Sequence, residues 1–135
     1  METRVEKTIE KRSKGYNCAQ AVACTYCDLL GIDEKIMFKI TEGFGAGMGN
    51  MEGTCGAVSG VCALAGLKKS SGNLEKPDSK GQTYKLVQEI MDEFKAQNGS
   101  VVCKDLKGIE TGRVLRSCPD CIRDAARLAE KILFD

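Results

Sequence analysis

Eight cysteines, at positions 18, 24, 27, 55, 62, 103, 118 and 121, stand in a chain that has no histidine. Thiolates bind soft metals and attack disulfides, so sulfur sets the chemistry open to this sequence. The missing histidine removes Ser-His and Cys-His catalytic pairs, histidine-ligated haem and mixed Cys/His zinc sites. Any metal would be held mainly by sulfur. Three of the cysteines share one local grammar, a capping residue followed by cysteine: Asn17-Cys18, Thr54-Cys55 and Ser117-Cys118. Unpaired N–H groups and the helix dipole lower a thiol's pKa at a helix start. Three such starts, if they converge, make a pocket prepared for sulfur anions, and Cys103, at the opening of a short turn, is a natural fourth member.

The elements that must position these thiols read as helices. Glu2 to Lys14 is a charged amphipathic segment ending at Gly15, and Asn17 with Gln20 forms a variant capping box ahead of Ala19–Leu30. Ile32 to Thr41 reads as a short third helix with Ile36, Met37 and Ile40 at helical spacing and Asp33 as an early acid. Gly43 to Gly60 then holds seven of the fifteen glycines. It bends tightly before a helix in which Thr54 is the expected N-cap, Cys55 lies on the first turn, and Ala57, Val58, Val61, Leu64 and Ala65 recur with helical spacing. Residues 68–81 are polar with glycine, proline and serine, and are expected to be a mobile loop. Thr83 to Gln97 carries the strongest helical periodicity, Ser100–Leu106 is one turn closed by Gly108, and Cys118 opens a C-terminal helix with Pro119 in its first turn. No segment alternates with period two. The expected class is therefore all-α, a single domain over residues 1–135 in a compact bundle of about five to six helices around a glycine-rich central loop.

Elsewhere the cysteines have quieter readings. Cys62 fits a small buried hydrophobe, and Cys24 and Cys27, one turn apart in mid-helix, fit packing. The CPDC run of Cys118–Cys121 is locally similar to the redox motif of thioredoxin-like proteins, without their βαβ pattern. With 20 basic and 19 acidic side chains the net charge is +1, and no like-charge block suits a nucleic-acid partner. The charged start lacks a secretory core, and no apolar run approaches the ~20 residues that insertion into a membrane needs. A soluble cytoplasmic protein is expected, where many thiols speak for metal, cluster or redox chemistry rather than disulfide staples. Small residues at Gly56, Ser59, Gly60 and Ala63 suit an internal helix or a homodimer partner equally.

Cys18 within GYNCAQAV, the block GFGAGMGNMEGTCGAVSG, Cys103 before Lys-Asp-Leu and Cys118 before an apolar helix together resemble the redox-active family named for its motif, C_GCAxxG_C_C. The resemblance spans nearly the whole chain. It implies Cys18, Cys55, Cys103 and Cys118 as the signature positions, with Cys24, Cys27, Cys62 and Cys121 as additions. A similar domain in split-Soret cytochromes has its cysteines associated with an iron–sulfur centre, but no CxxCH haem attachment is present here.

The leading expectation is a four-thiolate site of Cys18, Cys55, Cys103 and Cys118 holding an iron–sulfur cluster for electron transfer with a redox partner protein. Amides near Gly53 and Gly56 would donate to cluster sulfurs. Zinc would accept the same ligands in a structural four-cysteine or binding module, although single cysteines this far apart are unlike the usual C-x(2–4)-C knuckles. A metal-free alternative has Cys118 attack a partner disulfide and Cys121 or Cys55 resolve it.

Overall fold

The computed structural model describes residues 1–135. Local caps set most of its boundaries. The Asn17 side chain accepts from the Gln20 amide and the Gln20 side chain accepts from the Asn17 amide, both at 2.9 Å, a complete capping box that starts α2 (Cys18–Tyr26). It follows α1 (Val5–Ser13), which ends ahead of Gly15 at φ +105°. A 3₁₀ turn over Cys27–Leu30 closes at the left-handed Gly31. Asp33 caps α3 (Glu34–Thr41) through the Ile36 amide. Beyond the glycine stretch come α4 (Gly56–Lys69), α5 (Lys80–Asn98), α6 (Cys103–Lys107) and α7 (Cys118–Leu133), the last capped by Ser117 through the Asp120 amide. These seven helices make an all-helical single domain. The turn expected at Cys103 is the short helix α6, which brings the number from the expected five or six to seven. The polar link between α4 and α5 is Ser70–Ser79, shorter than the 68–81 stretch because α4 runs on through Lys69 and α5 resumes at Lys80.

Two adjoining helices form the centre. In α2, Ala19, Ala21, Val22, Ala23 and Tyr26 are fully buried, and small alanines on several faces let other helices pack around it. Against it lies α4, whose Ala57, Val58, Val61, Leu64 and Ala65 are equally buried. The contact is close because Gly60 has no Cβ; one there would stand 2.8 Å from the Ala19 carbonyl oxygen. The small-residue face of Gly56, Ser59 and Gly60 is thus spent inside the molecule, with only Ala63 half-exposed. On the other side α7 presents Ile122, Ala125, Ala126, Leu128 and Ala129 to the core, while α5 contributes Ile90 and Phe94. Burying each of those last two stabilises the fold by roughly 2 kcal/mol.

One apolar stripe faces outward. Met37 is the one apolar side chain of α3 that is fully buried, while Ile36 and Ile40 are 54% and 57% exposed. The N-terminus is tied across the bundle, since Glu130 of α7 accepts from the Arg4 amide at 2.7 Å and from the hydroxyls of Thr3 and Tyr26. No helix is long and apolar enough to cross a membrane.

Candidate functional site

Four different elements bring cysteines to one cavity. Cys18 opens α2, Cys55 precedes α4, Cys103 opens α6, and Cys118 and Cys121 lie on the first turn of α7; all five line the same cavity. Cys55, Cys103 and Cys121 are buried, at 6%, 5% and 3% exposure, while Cys18 and Cys118 are half-exposed at the rim. Cys24, Cys27 and Cys62 lie elsewhere. The Cys24 thiol points to the Glu34 carbonyl at 3.8 Å and the Cys27 thiol to the Cys24 carbonyl at 3.7 Å. All eight cysteines are unpaired thiols.

The helix starts at Asn17 and Ser117 are as the sequence suggests, but the middle one is different. Cys55 itself occupies the N-cap of α4, and Thr54 instead forms an antiparallel bridge with Val102. The reason is tertiary. The Cys55 amide donates to the Val101 carbonyl at 2.6 Å and the Cys103 amide to the Gly53 carbonyl at 2.9 Å, which holds residues 53–55 extended and delays the helix by one residue. This short ladder sets Cys55 beside Cys103.

The glycine stretch supplies the opposite wall. After a 3₁₀ turn at Glu42–Phe44 the chain makes a left-handed turn in which Ala46, Gly47, Met48 and Gly49 all have positive φ, followed by Met51 at +65°. Three of these five carry side chains, an unfavourable conformation costing about 1–2 kcal/mol each. Loop geometry makes Gly47 obligatory, because a Cβ there would collide with the Cys103 side chain. Gly56 is equally constrained, since its Cβ would overlap the Cys18 sulfur and lie 2.9 Å from the Phe44 carbonyl. Both glycines are the absence of a side chain against a cysteine. The Gly53 amide, expected to face sulfur, donates to the Gly47 carbonyl at 2.9 Å instead.

Burial and hydrogen bonding pull the thiols in different directions. Burial, then the neighbouring Cys55 charge, pushes Cys18 up, against the amides of Ala46 and Ala19, which favour its thiolate. The helix-start effect is present there but loses to desolvation. Cys55 goes the other way: the neighbouring Cys121 thiol, against burial, lowers it to about 7, with help from the Ala57 and Val58 amides and the charge of Lys107. Beside Cys55, and buried, Cys121 is pushed far up, and its thiol points to the Arg116 carbonyl at 3.8 Å. Burial also raises Cys103, opposed by Lys107. Cys62, away from the cavity, is pushed up to about 11 by burial alone.

Two basic side chains that the sequence did not single out complete the lining, Lys107 and Arg116. Lys107 lies four residues after Cys103 and so on the same face of α6, a spacing visible in the sequence. Arg116 is held at 3.0 and 3.2 Å by Asp124, a carboxylate only 9% exposed. No local signal marks Ala46, whose amide reaches Cys18 only through the left-handed turn.

The donor set fits a thiolate-bound centre. The space admits the centre of a water-sized sphere over about 30 Å³, room for one or two waters, so a larger group requires the rim side chains to part. No three cysteine or carboxylate side chains stand close enough in this arrangement to hold a single metal ion. The family model described as "Putative redox-active protein (C_GCAxxG_C_C)" matches residues 16–132. No curated protein and no solved structure matches the chain.

Proposed function

Since the chain belongs to the C_GCAxxG_C_C family of redox-active proteins, we propose that it is a redox protein whose Cys18, Cys55, Cys103 and Cys118 hold an iron–sulfur cluster for electron transfer. The supporting observation is the convergence of these four cysteines, from four separate elements, on one cavity, with Gly56 and Gly47 each leaving the space that a cysteine side chain fills. A single tetrahedral zinc would draw four sulfurs to about 3.8 Å of one another, from Zn–S bonds of about 2.3 Å. Structural zinc sites also typically use paired C-x(2–4)-C knuckles, unlike four signature cysteines drawn from four separate elements.

When bound, a cluster supplies one-electron transfer. The protein's own groups do the rest. Burial of Cys55 and Cys103 keeps water from two of the sulfurs, and the Ala46, Ala57 and Val58 amides orient toward thiolate sulfur. Lys107 adds positive charge beside Cys55 and Cys103, offsetting the negative charge that four thiolates bring. Half-exposed Cys18 and Cys118 form the side from which a partner redox protein would exchange electrons. The same proposal places the protein in the reducing cytoplasm, which keeps eight thiols free.

Anaerobically purified protein is expected to be brown, with iron and sulfide near stoichiometry. Serine at Cys18, Cys55, Cys103 or Cys118 should each remove the visible absorption, and Cys62→Ser should keep it. A colourless, iron-free anaerobic preparation that also fails to take up iron and sulfide in reconstitution would sink the proposal.

A further inference from the structure

The cysteine cavity is closed to anything larger than one or two waters, and its thiols are tied down. Cys18 and Cys118 stand at capped helix starts, while the Cys55 and Cys103 amides are bonded to the Val101 and Gly53 carbonyls. Ala46, which lines the same cavity, is held differently. It opens an arc, residues 46–50, that runs between two fixed points. Ahead of the arc Gly45 is packed against the Asn17 side chain, which itself donates to the Glu42 carbonyl at 2.9 Å. After it the Met51 carbonyl accepts from the Lys104 amide at 2.9 Å. Within the arc only Gly47 is buried; Ala46, Met48, Gly49 and Asn50 are exposed. Three backbone bonds keep it shut: the Gly49 amide to the Gly45 carbonyl at 3.0 Å, the Met51 amide to the Ala46 carbonyl at 2.8 Å, and the Gly53 amide to the Gly47 carbonyl at 2.9 Å. Against them stands the left-handed backbone of Ala46, at φ +52°, and of Met48, at φ +65°. Opening the arc releases that strain, which offsets part of the bonds lost.

We propose that residues 46–50 are a lid over the cysteine cavity, which swings out between Gly45 and Met51 while the helices stay folded and so admits groups larger than water to the thiols behind it. That iron and sulfide enter by this route rests on the cluster reading; the lid itself does not. Ala46 carries its part of the cavity wall away as the arc opens. Cys55 and Cys103, only 6% and 5% exposed, then become reachable without unfolding. Cys24 and Cys27, buried to a similar degree at 4% and 1% exposure, lie outside the cavity and become reachable only when the bundle itself comes apart. The two pairs therefore report on two different openings of one molecule.

The test labels reduced, metal-free full-length protein anaerobically with N-ethylmaleimide at one pH, in urea concentrations below the unfolding transition, and follows each cysteine by peptide mass spectrometry. Cys55 and Cys103 should label at rates that hardly change with urea, because a local opening exposes little new surface, while Cys24 and Cys27 accelerate with global unfolding. All four accelerating in parallel would overturn the lid, and the wild-type series decides this without any variant. Met48 is 51% exposed and lines no part of the cavity, so Met48→Gly acts on the strain alone. It should slow labelling of Cys55 and Cys103 about fivefold by favouring the closed arc. An unchanged rate would mean that the reagent enters through the existing gap, and would overturn the proposal as well. A second arm adds iron and sulfide anaerobically. Uptake slowed by Met48→Gly to the same extent as the labelling is expected, and equal uptake by the two proteins would end the claim that loading passes the lid. Wild type that takes up no iron while Cys55 and Cys103 still label independently of urea would remove the cluster reading and leave the lid standing.

Discussion

At Cys18 the amides of Ala46 and Ala19 favour the thiolate while burial favours the thiol, and burial wins. The sulfur therefore depends on its exact packing, and the residue that sets that packing is Gly56. Alanine at position 56 is a better helix former by up to about 1 kcal/mol, so Gly56→Ala should leave helical content unchanged while its Cβ displaces the Cys18 sulfur. Faster iodoacetamide labelling of Cys18 together with loss of iron uptake is the expected result, and labelling at the wild-type rate would contradict it. The contribution of Gly56 was readable in the sequence only as one more glycine of a run. Nothing local says that it faces position 18, because that contact is made between helices.

Among the elements, the glycine loop and the corner where the α1–α2 turn meets α3 make separate predictions. Met48 sits at φ +65° with its side chain half in solvent, so Met48→Gly removes left-handed strain at little packing cost. A gain of about 1 kcal/mol, or about 4 °C in Tm, should appear in thermal melts of the metal-free protein; an unchanged or lower Tm would count against strain there. At the corner, Tyr16 donates to Glu34, which also pairs with Lys11 at 2.9 Å. The Tyr16 hydroxyl, then Lys11, holds the Glu34 carboxyl below its ordinary range, and Glu34 pushes Tyr16 up to about 12. A lowered acid stabilises the fold above its unfolded pKa and loses that contribution as pH falls through the folded value. A raised phenol loses its contribution as pH climbs past its unfolded value of about 10. Tyr16→Phe should therefore cost about 1 kcal/mol between about pH 5 and 9, with the gap to wild type narrowing in acid and in alkali, as denaturant melts at pH 3, 7 and 11 would reveal. Element starts at Asn17 and Ser117 were legible because a cap and the amide it serves lie within three residues. The start at Cys55 was not, since its backbone is held by Val101 from beyond two helices. Likewise the spacing of Ile36 and Ile40 marks α3 as a helix but does not say which face the core takes.

At the scale of the whole molecule, the cavity draws on α2, α4, α6 and α7, and so occupancy should couple to global stability. Anything that binds only the folded arrangement adds about 2.7 kcal/mol at a hundredfold excess over its dissociation constant. Anaerobically loaded protein should thus melt roughly 10 °C above the metal-free form, and the difference should vanish once air has bleached the visible absorption. Equal melting of the two forms would mean that the cavity thiols do not hold the group. The Thr54–Val102 bridge carries one more consequence. The helices around α2 and α4 can assemble through neighbouring segments, whereas this bridge must wait until both α4 and α5 have folded back on each other. Contacts so distant along the chain form late. Because Cys18 and Cys118 come from opposite ends of the chain, the cavity is complete only once α2 and α7 have both joined the bundle, and metal delivery is expected to follow assembly of the bundle rather than to guide it.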